Sequence, residues 1–217
     1  MTDLRLIFIG PPGSGKGTQA KRLASRGFVH ISTGDLLRRQ VAAGSAEGQE
    51  VLQIMRRGGL APDRVIFELI EDAMVRHRGS PMIFDGFPRT SDQAAWLASF
   101  RIDMACIFEI SDAQVLRRLG NRVVGMDGAI YDLELLPPPP GVQYIRRVDD
   151  TPAIHRGRLQ NYREQEAQLR DFYARNKLLQ TVDASLPLGR VAEQMETLLS
   201  RLRYDGKQSV PQCISSS

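Results

Sequence analysis

The stretch that decides the fold is residues 4–18, which reads LRLIFIGPPGSGKGT. Its first part, residues 4–9, is mostly apolar and β-branched or aromatic, which predicts a buried strand of a parallel sheet. Residues 10–16 match the pattern G-x-x-x-x-G-K, and a helical pattern follows. Glycines let the backbone N–H groups surround a phosphate, while the start of the helix and Lys16 add positive charge. The stretch therefore predicts a phosphate-binding loop between a strand and a helix.

Strands and helices alternate along the remaining sequence. Further strands are predicted at residues 28–31, 81–84, 105–110 and 180–182. This alternation is typical of an α/β fold, a five-stranded parallel sheet flanked by helices. Ligands of such sheets bind at the carboxyl ends of the strands, so we expect the loops after Ile9, Ile31, Phe84 and Ile110 to converge. Trp96 and Phe100, at helical spacing, are interpreted as core residues.

Charge and composition limit the possible partners. The chain has 29 Lys and Arg against 25 Asp and Glu, a net charge of +4. A basic surface, a small anionic ligand and a nucleic acid are all compatible with this charge. However, no run of five like charges occurs, and neither interleaved aromatic residues nor a nucleic-acid module is recognisable. We therefore expect no nucleic-acid partner.

Cysteine usage and hydropathy indicate the compartment. Cys106 and Cys213 lie far apart without metal-type spacing, which is typical of free thiols in a reducing compartment. The first residues meet Gly and Pro too early for a signal peptide, and no apolar stretch is long enough to cross a membrane. A cytoplasmic protein without membrane association is predicted. A monomer is expected because no long unmatched apolar surface stands out.

The residue after Lys16 departs from most phosphate-binding loops. Gly17 stands where a Ser or Thr usually holds Mg²⁺, and Thr18 follows one position later. Either Thr18 substitutes, or the metal is held through waters and phosphate oxygens, which Mg²⁺ readily accepts. This departure disfavours a GTPase or a motor ATPase. Asp85 ends a predicted strand, where it could organise Mg²⁺ through water, although a turn-forming role before Gly86 is an alternative.

Three motifs occur in order: residues 10–18 read GPPGSGKGT, residues 32–38 read STGDLLR and residues 85–90 read DGFPRT. Together they resemble motifs of the adenylate kinases, a family of nucleoside-monophosphate kinases. The first reproduces the family's G-x-P-G-x-G-K-G-T, including Gly17. The second matches its S-T-G-D-[ML]-[LI]-R, and the third its D-G-[FY]-P-R-[TS]. The resemblance extends over residues 4–202 and is weakest between residues 125 and 145.

The resemblance implies a P-loop kinase core with a small monophosphate-binding (NMP) insert and a lid insert. The implied boundaries are a core at 1–31, 62–120 and 151–204, an NMP-binding segment at 32–61, a lid at 121–150, and a tail at 205–217 that we expect to be disordered. The lid is of the long type. Some long lids carry four cysteines for zinc, but this one has none, so no zinc is expected.

The resemblance also implies an activity, reversible Mg²⁺-dependent phosphoryl transfer from ATP to AMP that gives two ADP. Such transfer depends on positioning and charge neutralisation, and arginine forks suit phosphate. The implied catalytic residues are Lys16, Arg89, Arg122, Arg147 and Arg158. The implied ATP contacts are Gly10, Gly13, Ser14, Gly15, Lys16, Gly17, Thr18, Arg118 (over the adenine), Arg122 and Tyr131. The implied AMP contacts are Thr33, Arg38, Gly86, Arg89, Gln93, Arg147 and Arg158.

The lid departs from the family pattern. The family usually shows G-R-x-Y-H, whereas residues 128–132 read GAIYD and retain only Tyr131 and the glycine. Asp149 and Asp150 are interpreted as lid-closing partners of arginines. His30, His77 and His155 are scattered and are assigned no chemistry.

Two other functions remain alternatives at this point. One is a related kinase for another nucleoside monophosphate, because Thr33 and Gln93 favour AMP without deciding it. The other is a non-catalytic nucleotide-binding regulator. Arginines for two phosphate sites disfavour a regulator, because a switch needs only one.

Overall fold

The computed structural model describes residues 3–44, 46–56, 59–147 and 150–208. The strands are β1 (Arg5–Ile9), β2 (Val29–Ser32), β3 (Met82–Asp85), β4 (Met104–Glu109), β5 (Arg122–Gly125), β6 (Ile130–Asp132), β7 (Tyr144–Ile145) and β8 (Leu179–Asp183). The helices are α1 (Lys16–Ala24), α2 (Thr33–Ala42), α3 (Ala46–Arg56), α4 (Asp63–Arg76), α5 (Ser91–Leu97), α6 (Asp112–Asn121), α7 (Pro152–Arg175) and α8 (Leu188–Gln208).

The centre of the molecule is a five-stranded sheet in the order β2-β3-β1-β4-β8. Each neighbouring pair in it is parallel. Alternate side chains of β1 point to opposite faces. Ile7 and Ile9 belong to one hydrophobic cluster, and Leu6 and Phe8 to the other. The predicted α/β fold is therefore confirmed, with a sheet covered on both faces.

Trp96 and Phe100, which the sequence predicted to be core residues, pack against the first of these clusters. Trp96 stacks on Phe67 at 4.3 Å between ring centroids, and Phe100 lies 5.1 Å from Trp96. Their interpretation as core residues is confirmed.

Two smaller units extend from the sheet. Helices α2 and α3 pack together between β2 and α4, and they bury Leu37 and Val51. The strands β6-β5-β7 form a separate antiparallel sheet. Because α6 runs directly into β5, the second unit begins where a core helix ends. Helices α2 and α3 lie within residues 32–61, and strands β5, β6 and β7 lie within residues 121–150.

The last helix is longer than predicted. The sequence placed the end of the core at residue 204, but α8 continues to Gln208. Residues 205–208, which the sequence assigned to a disordered tail, are therefore helical. The apolar periodicity is lost in this segment, but Gly206 costs a helix only about 1 kcal/mol relative to alanine. The backbone helix therefore continues beyond the last apolar turn. The rest of that tail, 209–217, lies outside the described residues. Among the described helices, none has the length and apolar character needed to cross a membrane.

Candidate active site

A cavity of about 620 Å³ lies at the carboxyl edge of the central sheet. The ends of β1, β2 and β3 line it, together with part of the antiparallel sheet. The predicted site residues that line it are Gly10, Gly13, Gly15, Lys16, Gly17, Thr18, Thr33, Arg38, Asp85, Gly86, Arg89, Gln93, Arg118, Arg122, Tyr131, Arg147 and Arg158. Ser14 is buried behind this surface, with 2% exposed.

One part of the predicted edge is wrong. The loop after Ile110 does not appear among the residues that line the cavity, whereas residues 185–188, after β8, do. The connection after β4 is short because Ser111 already caps α6. The chain after β8 instead passes through a turn before α8, and that turn reaches the cavity.

The phosphate-binding loop folds around its own lysine. The ammonium of Lys16 donates to the carbonyl oxygens of Gly10 (2.7 Å) and Pro11 (2.8 Å), and to Ser14 Oγ at 3.2 Å. Gly13 has φ +79°, and a Cβ on it would lie 2.9 Å from Leu119 Cγ. A larger residue there would clash with α6, so the glycine allows the loop to pack against that helix.

Lys16 carries its charge in a largely desolvated place. Its side chain is buried, and this burial lowers its pKa to about 8. The positive charges of Arg89 and Arg122 lower the pKa further, while the carboxylate of Asp85 opposes them. An anion that enters the cavity therefore stabilises the charged form of Lys16.

Asp85 lies between the loop and a histidine that the sequence analysis left without a role. His30 Nε2 lies 3.0 Å from Asp85 Oδ2. A Cβ on Gly17 would lie 3.2 Å from the same oxygen. Glycine at position 17 therefore allows Asp85 to approach the loop, in the place where other loops carry a metal-binding hydroxyl. The strand register pairs His30 with Ile83, which places Asp85 diagonally across from it on the same face.

Arginines from separate elements converge on the same cavity. Burial lowers the pKa of Arg147 to about 10, and the charges of Arg38 and Arg122 add to this effect. Desolvation by the surrounding protein lowers the pKa of the Arg89 guanidinium, and the positive charge of Arg158 lowers it further. Arg89 nevertheless remains accessible to solvent through the open cavity. Cations that raise one another's electrostatic energy make a site suited to polyanions.

A buried ion-pair cluster joins the two ends of the antiparallel unit to the core. Arg122, at the start of β5, contacts Asp150 through two nitrogens, with Nε 3.2 Å from Oδ2. His155 Nε2, on α7, lies 3.2 Å from Asp150 Oδ1. The Asp150 side chain is fully buried. Asp150 therefore pairs with an arginine, as predicted, whereas Asp149 lies outside the described residues. His155, which is 3% exposed, had no role predicted from the sequence.

A polar pocket surrounds Gln93 on the side of β3. Gln93 is 2% exposed, its Oε1 accepts from the Arg89 backbone N–H at 2.7 Å, and its Nε2 donates to Asp63 Oδ1 at 2.7 Å. Thr33 Oγ1 donates to the carbonyl of Gly86 at 2.9 Å. The sequence pattern does not distinguish Asp63, because a carboxylate in the first turn of a helix is an ordinary helix-start residue.

The antiparallel unit contributes a mixed wall. The Tyr131 hydroxyl donates to Asp127 Oδ2 at 2.5 Å. Arg118, on α6, lines the cavity nearby, and burial lowers its pKa. Leu135 and Leu136 also line the cavity while remaining 62% and 46% exposed. This wall is therefore less tightly packed than the loop that it faces.

Carboxylates are sparse around the loop. Within the part of the chain that the structure describes, no group of three or more His, Cys, Asp and Glu is placed to hold a metal ion. Asp85 is the carboxylate beside Gly17, and Thr18 lines the same cavity. One carboxylate and a hydroxyl suit Mg²⁺, which keeps several waters and binds mainly through phosphates.

Comparison with known proteins agrees with this geometry. The family model for adenylate kinase matches residues 8–178. Among curated proteins, the adenylate kinase of Kosmotoga olearia is 35% identical over 92% of this chain and 100% of the relative. The adenylate kinase of Salinibacter ruber is 37% identical, over 92% and 99%, and that of Hyphomonas neptunium is 36% identical, over 91% and 99%. The chain therefore belongs to the adenylate kinase family.

Proposed function

We propose that this protein catalyses reversible, Mg²⁺-dependent phosphoryl transfer from ATP to AMP, giving two ADP. The proposal rests on one observation: Lys16 of the phosphate-binding loop lines the same cavity as arginines from the core and from both smaller units. A regulator that binds one nucleotide needs only the loop. The additional arginines around the same cavity instead suit two nucleotides whose phosphates meet.

The donor half of the reaction is assigned to the loop. The backbone N–H groups of residues 10–18 and the start of α1 bind the ATP phosphates, and Lys16 exchanges its loop carbonyls for phosphate oxygens. Arg118 stacks over the ATP adenine and Tyr131 contacts the nucleotide from the lid. Because Lys16 is desolvated, its charge acts on the phosphates with little screening.

The acceptor half is assigned to the opposite wall. Arg38 and Arg89 bind the phosphate of AMP with bidentate forks, and Gly86 lets that phosphate approach the backbone. Thr33 and Gln93 contact the adenine. Arg89 Nε donates to the carbonyl oxygen of Gly86 at 2.8 Å. The turn that follows β3 therefore sets the direction in which the other two guanidinium nitrogens point.

Transfer takes place between these halves. An oxygen of the AMP phosphate attacks the γ-phosphorus of ATP, the new P–O bond forms, and the bond to the β-phosphate oxygen breaks as ADP leaves. No proton needs to be removed from the nucleophile, because the phosphate is already ionised. Arg122, Arg147 and Arg158 neutralise the charge on the transferring group. Since Arg122 uses Nε and Nη2 for Asp150, its phosphate contact falls to Nη1.

Mg²⁺ is the proposed metal, and when bound with ATP it neutralises charge on the phosphates. Asp85 would hold it through water, and His30 orients the carboxylate that does so. Thr18 is the candidate hydroxyl beside it. No zinc is proposed.

The domain roles and cellular setting are part of the same proposal. Residues 1–31, 62–120 and 151–204 form the core, 32–61 the NMP-binding segment and 121–150 the lid that excludes water when it closes. The protein is proposed to act as a cytoplasmic monomer, with ATP and AMP as its partners. A buried, free Cys106 is compatible with a reducing compartment.

The test mixes the purified protein with Mg-ATP and each nucleoside monophosphate in turn, and follows ADP. We expect turnover with AMP, and inhibition at low concentration by Ap5A, which joins two adenosines through five phosphates and so spans both halves. Arg89→Ala should lower kcat/KM for AMP far more than it weakens ATP binding measured alone. Turnover with another monophosphate but none with AMP would overturn the acceptor assignment, and no turnover with any acceptor would overturn the enzyme.

A further inference from the structure

The amide of Gln93 is held at both ends by partners that cannot exchange roles. Its oxygen accepts from the Arg89 backbone N–H, and its nitrogen donates to Asp63 Oδ1, each at 2.7 Å. A backbone N–H can only donate, and an ionised carboxylate can only accept. Rotating the amide by half a turn would place two donors together at Arg89 and two acceptors together at Asp63. The orientation of the amide is therefore determined by its neighbours.

The remaining hydrogen-bonding capacity of Gln93 has a definite pattern. An amide group carries two N–H donors and an oxygen with two lone pairs. One donor and one lone pair are already used by Asp63 and Arg89. What is left, on a residue that lines the cavity, is one N–H donor on the nitrogen and one lone pair on the oxygen, and these two atoms cannot exchange places.

That order distinguishes two kinds of purine. A 6-amino purine offers an acceptor at N1 and a donor at the 6-amino group, so it can pair with the remaining N–H and oxygen of Gln93. A 6-oxo purine offers a donor at N1 and an acceptor at O6. With its ring in the same position as that of a 6-amino purine, it would require the amide in the opposite orientation, which Asp63 and Arg89 resist.

We infer that Asp63 is a specificity-determining residue: it orients the Gln93 amide so that the acceptor site accepts a 6-amino purine and rejects a 6-oxo purine. This inference deepens the proposed function and rests on it. Asp63 acts through Gln93 and does not itself contact the nucleotide. Free glutamine carries no such preference, because its amide can pair with either edge after rotation.

The fold supports this role by fixing where Asp63 lies. Asp63 begins α4, and the backbone N–H groups of Val65 and Ile66 donate to the carbonyl of Pro62. Ile66 is buried in the core beneath this turn. The carboxylate is therefore presented to Gln93 by a packed helix start, across 30 residues of sequence.

The test compares AMP with inosine monophosphate, which differs from AMP only at the 6-position and the adjoining N1. The wild type should prefer AMP by more than about 10³-fold in kcat/KM, since a site built for one hydrogen-bond pattern rejects the other strongly. Asp63→Ala removes the acceptor and Asp63→Asn keeps its shape but can donate instead. In both variants we expect the AMP preference to fall at least about tenfold, through a higher KM for AMP and a lower KM for inosine monophosphate.

A matched control is Asp72→Asn, an exposed carboxylate of the same helix paired with Arg76. It should leave the preference unchanged. Asp63→Glu, which restores a carboxylate, should recover part of the preference. A purely structural role of Asp63 would lower kcat/KM for both acceptors equally, and an unchanged ratio in Asp63→Ala and Asp63→Asn would overturn the inference. Failure of the wild type to phosphorylate AMP would instead overturn the proposed function, so the two failures are distinguishable.

Discussion

The phosphate-binding loop and the antiparallel unit of β5, β6 and β7, which we propose as the lid, are ordered in different ways. In the loop, Lys16 and Ser14 are buried, and their contacts come from neighbours within a few residues. In the lid, Leu135 is 62% exposed and Ile145 59%. It is connected to the core through several contacts: Arg122 pairs with Asp150, 28 residues away, and Arg117 and Asn121 of α6 bind Glu134. The loop is thus organised by its own sequence, and the lid by contacts between residues farther apart in the chain.

The two regions also compensate charge differently. Lys16 rests on neutral carbonyl oxygens, whereas Arg122 is paired with a buried carboxylate. An incoming phosphate improves the surroundings of Lys16 but competes with Asp150 for Arg122. Lys16 is therefore available to an incoming phosphate, whereas Arg122 remains partly engaged by its ion pair with Asp150.

The largest expected effect comes from breaking the loop. Lys16→Met keeps much of the side chain's length and removes its charge, so kcat/KM should fall by about 10³-fold or more while the fold is retained. The measurement is ADP formation, with thermal unfolding as the check on folding. Lys177→Met, at an exposed lysine, is the control and should be active. Retained turnover in Lys16→Met would contradict the role of the loop lysine.

A smaller effect is expected from breaking the base of the lid. Asp150→Ala leaves Arg122 and His155 without the carboxylate between them, and should lower the free energy of unfolding by about 3 kcal/mol. Denaturant unfolding measures this loss. Asp72→Ala, which breaks an exposed pair, should cost under about 0.5 kcal/mol. Equal losses in the two variants would mean that burial does not distinguish these pairs.

The smallest expected effect is the pH dependence that Lys16 gives to ATP affinity and to stability. Lys16 is charged below its pKa of about 8, so ATP affinity should fall about tenfold per pH unit above that value. The same shift acts on stability. The pKa of Lys16 is about 8 in the folded chain, against the ordinary lysine value of 10.5 in the unfolded chain. Between these pH values the unfolded chain binds more protons, so the unliganded protein should gain stability as pH rises through them.

Calorimetric titration of ATP between pH 7 and 9.5, in buffers of different ionisation enthalpy, measures the proton taken up on binding. Thermal unfolding over the same range measures the stability. An ATP affinity that stays constant up to pH 9.5 would show that the positive charge of Lys16 does not contribute to binding of the ATP phosphates.

Much of the architecture could be predicted because its signals are local. The strand, glycine loop and helix of residues 4–26 appear as a run of apolar residues, a turn and a helical period. The ends of β2 and β3 fall at Ser32 and Asp85, where the motifs placed candidate site residues. Strands of a parallel sheet end at the same edge, so those residues had to meet.

What the sequence did not reveal are contacts between elements. His30 and Asp85 are 55 residues apart and meet because β2 lies beside β3. The cavity includes the turn after β8 rather than the one after β4, which follows from the lengths of those connections. Each of these depends on strand order and loop length, which no local pattern carries.

The sequence by itself determined the α/β fold, the phosphate-binding loop and the set of arginines, because periodicity and glycine spacing act over a few residues. Only the tertiary structure decided how these groups are held: Gln93 between Asp63 and Arg89, Asp150 between Arg122 and His155. The physical reason is that burial and hydrogen-bond direction arise when distant segments pack, and they set the charge and orientation of each group.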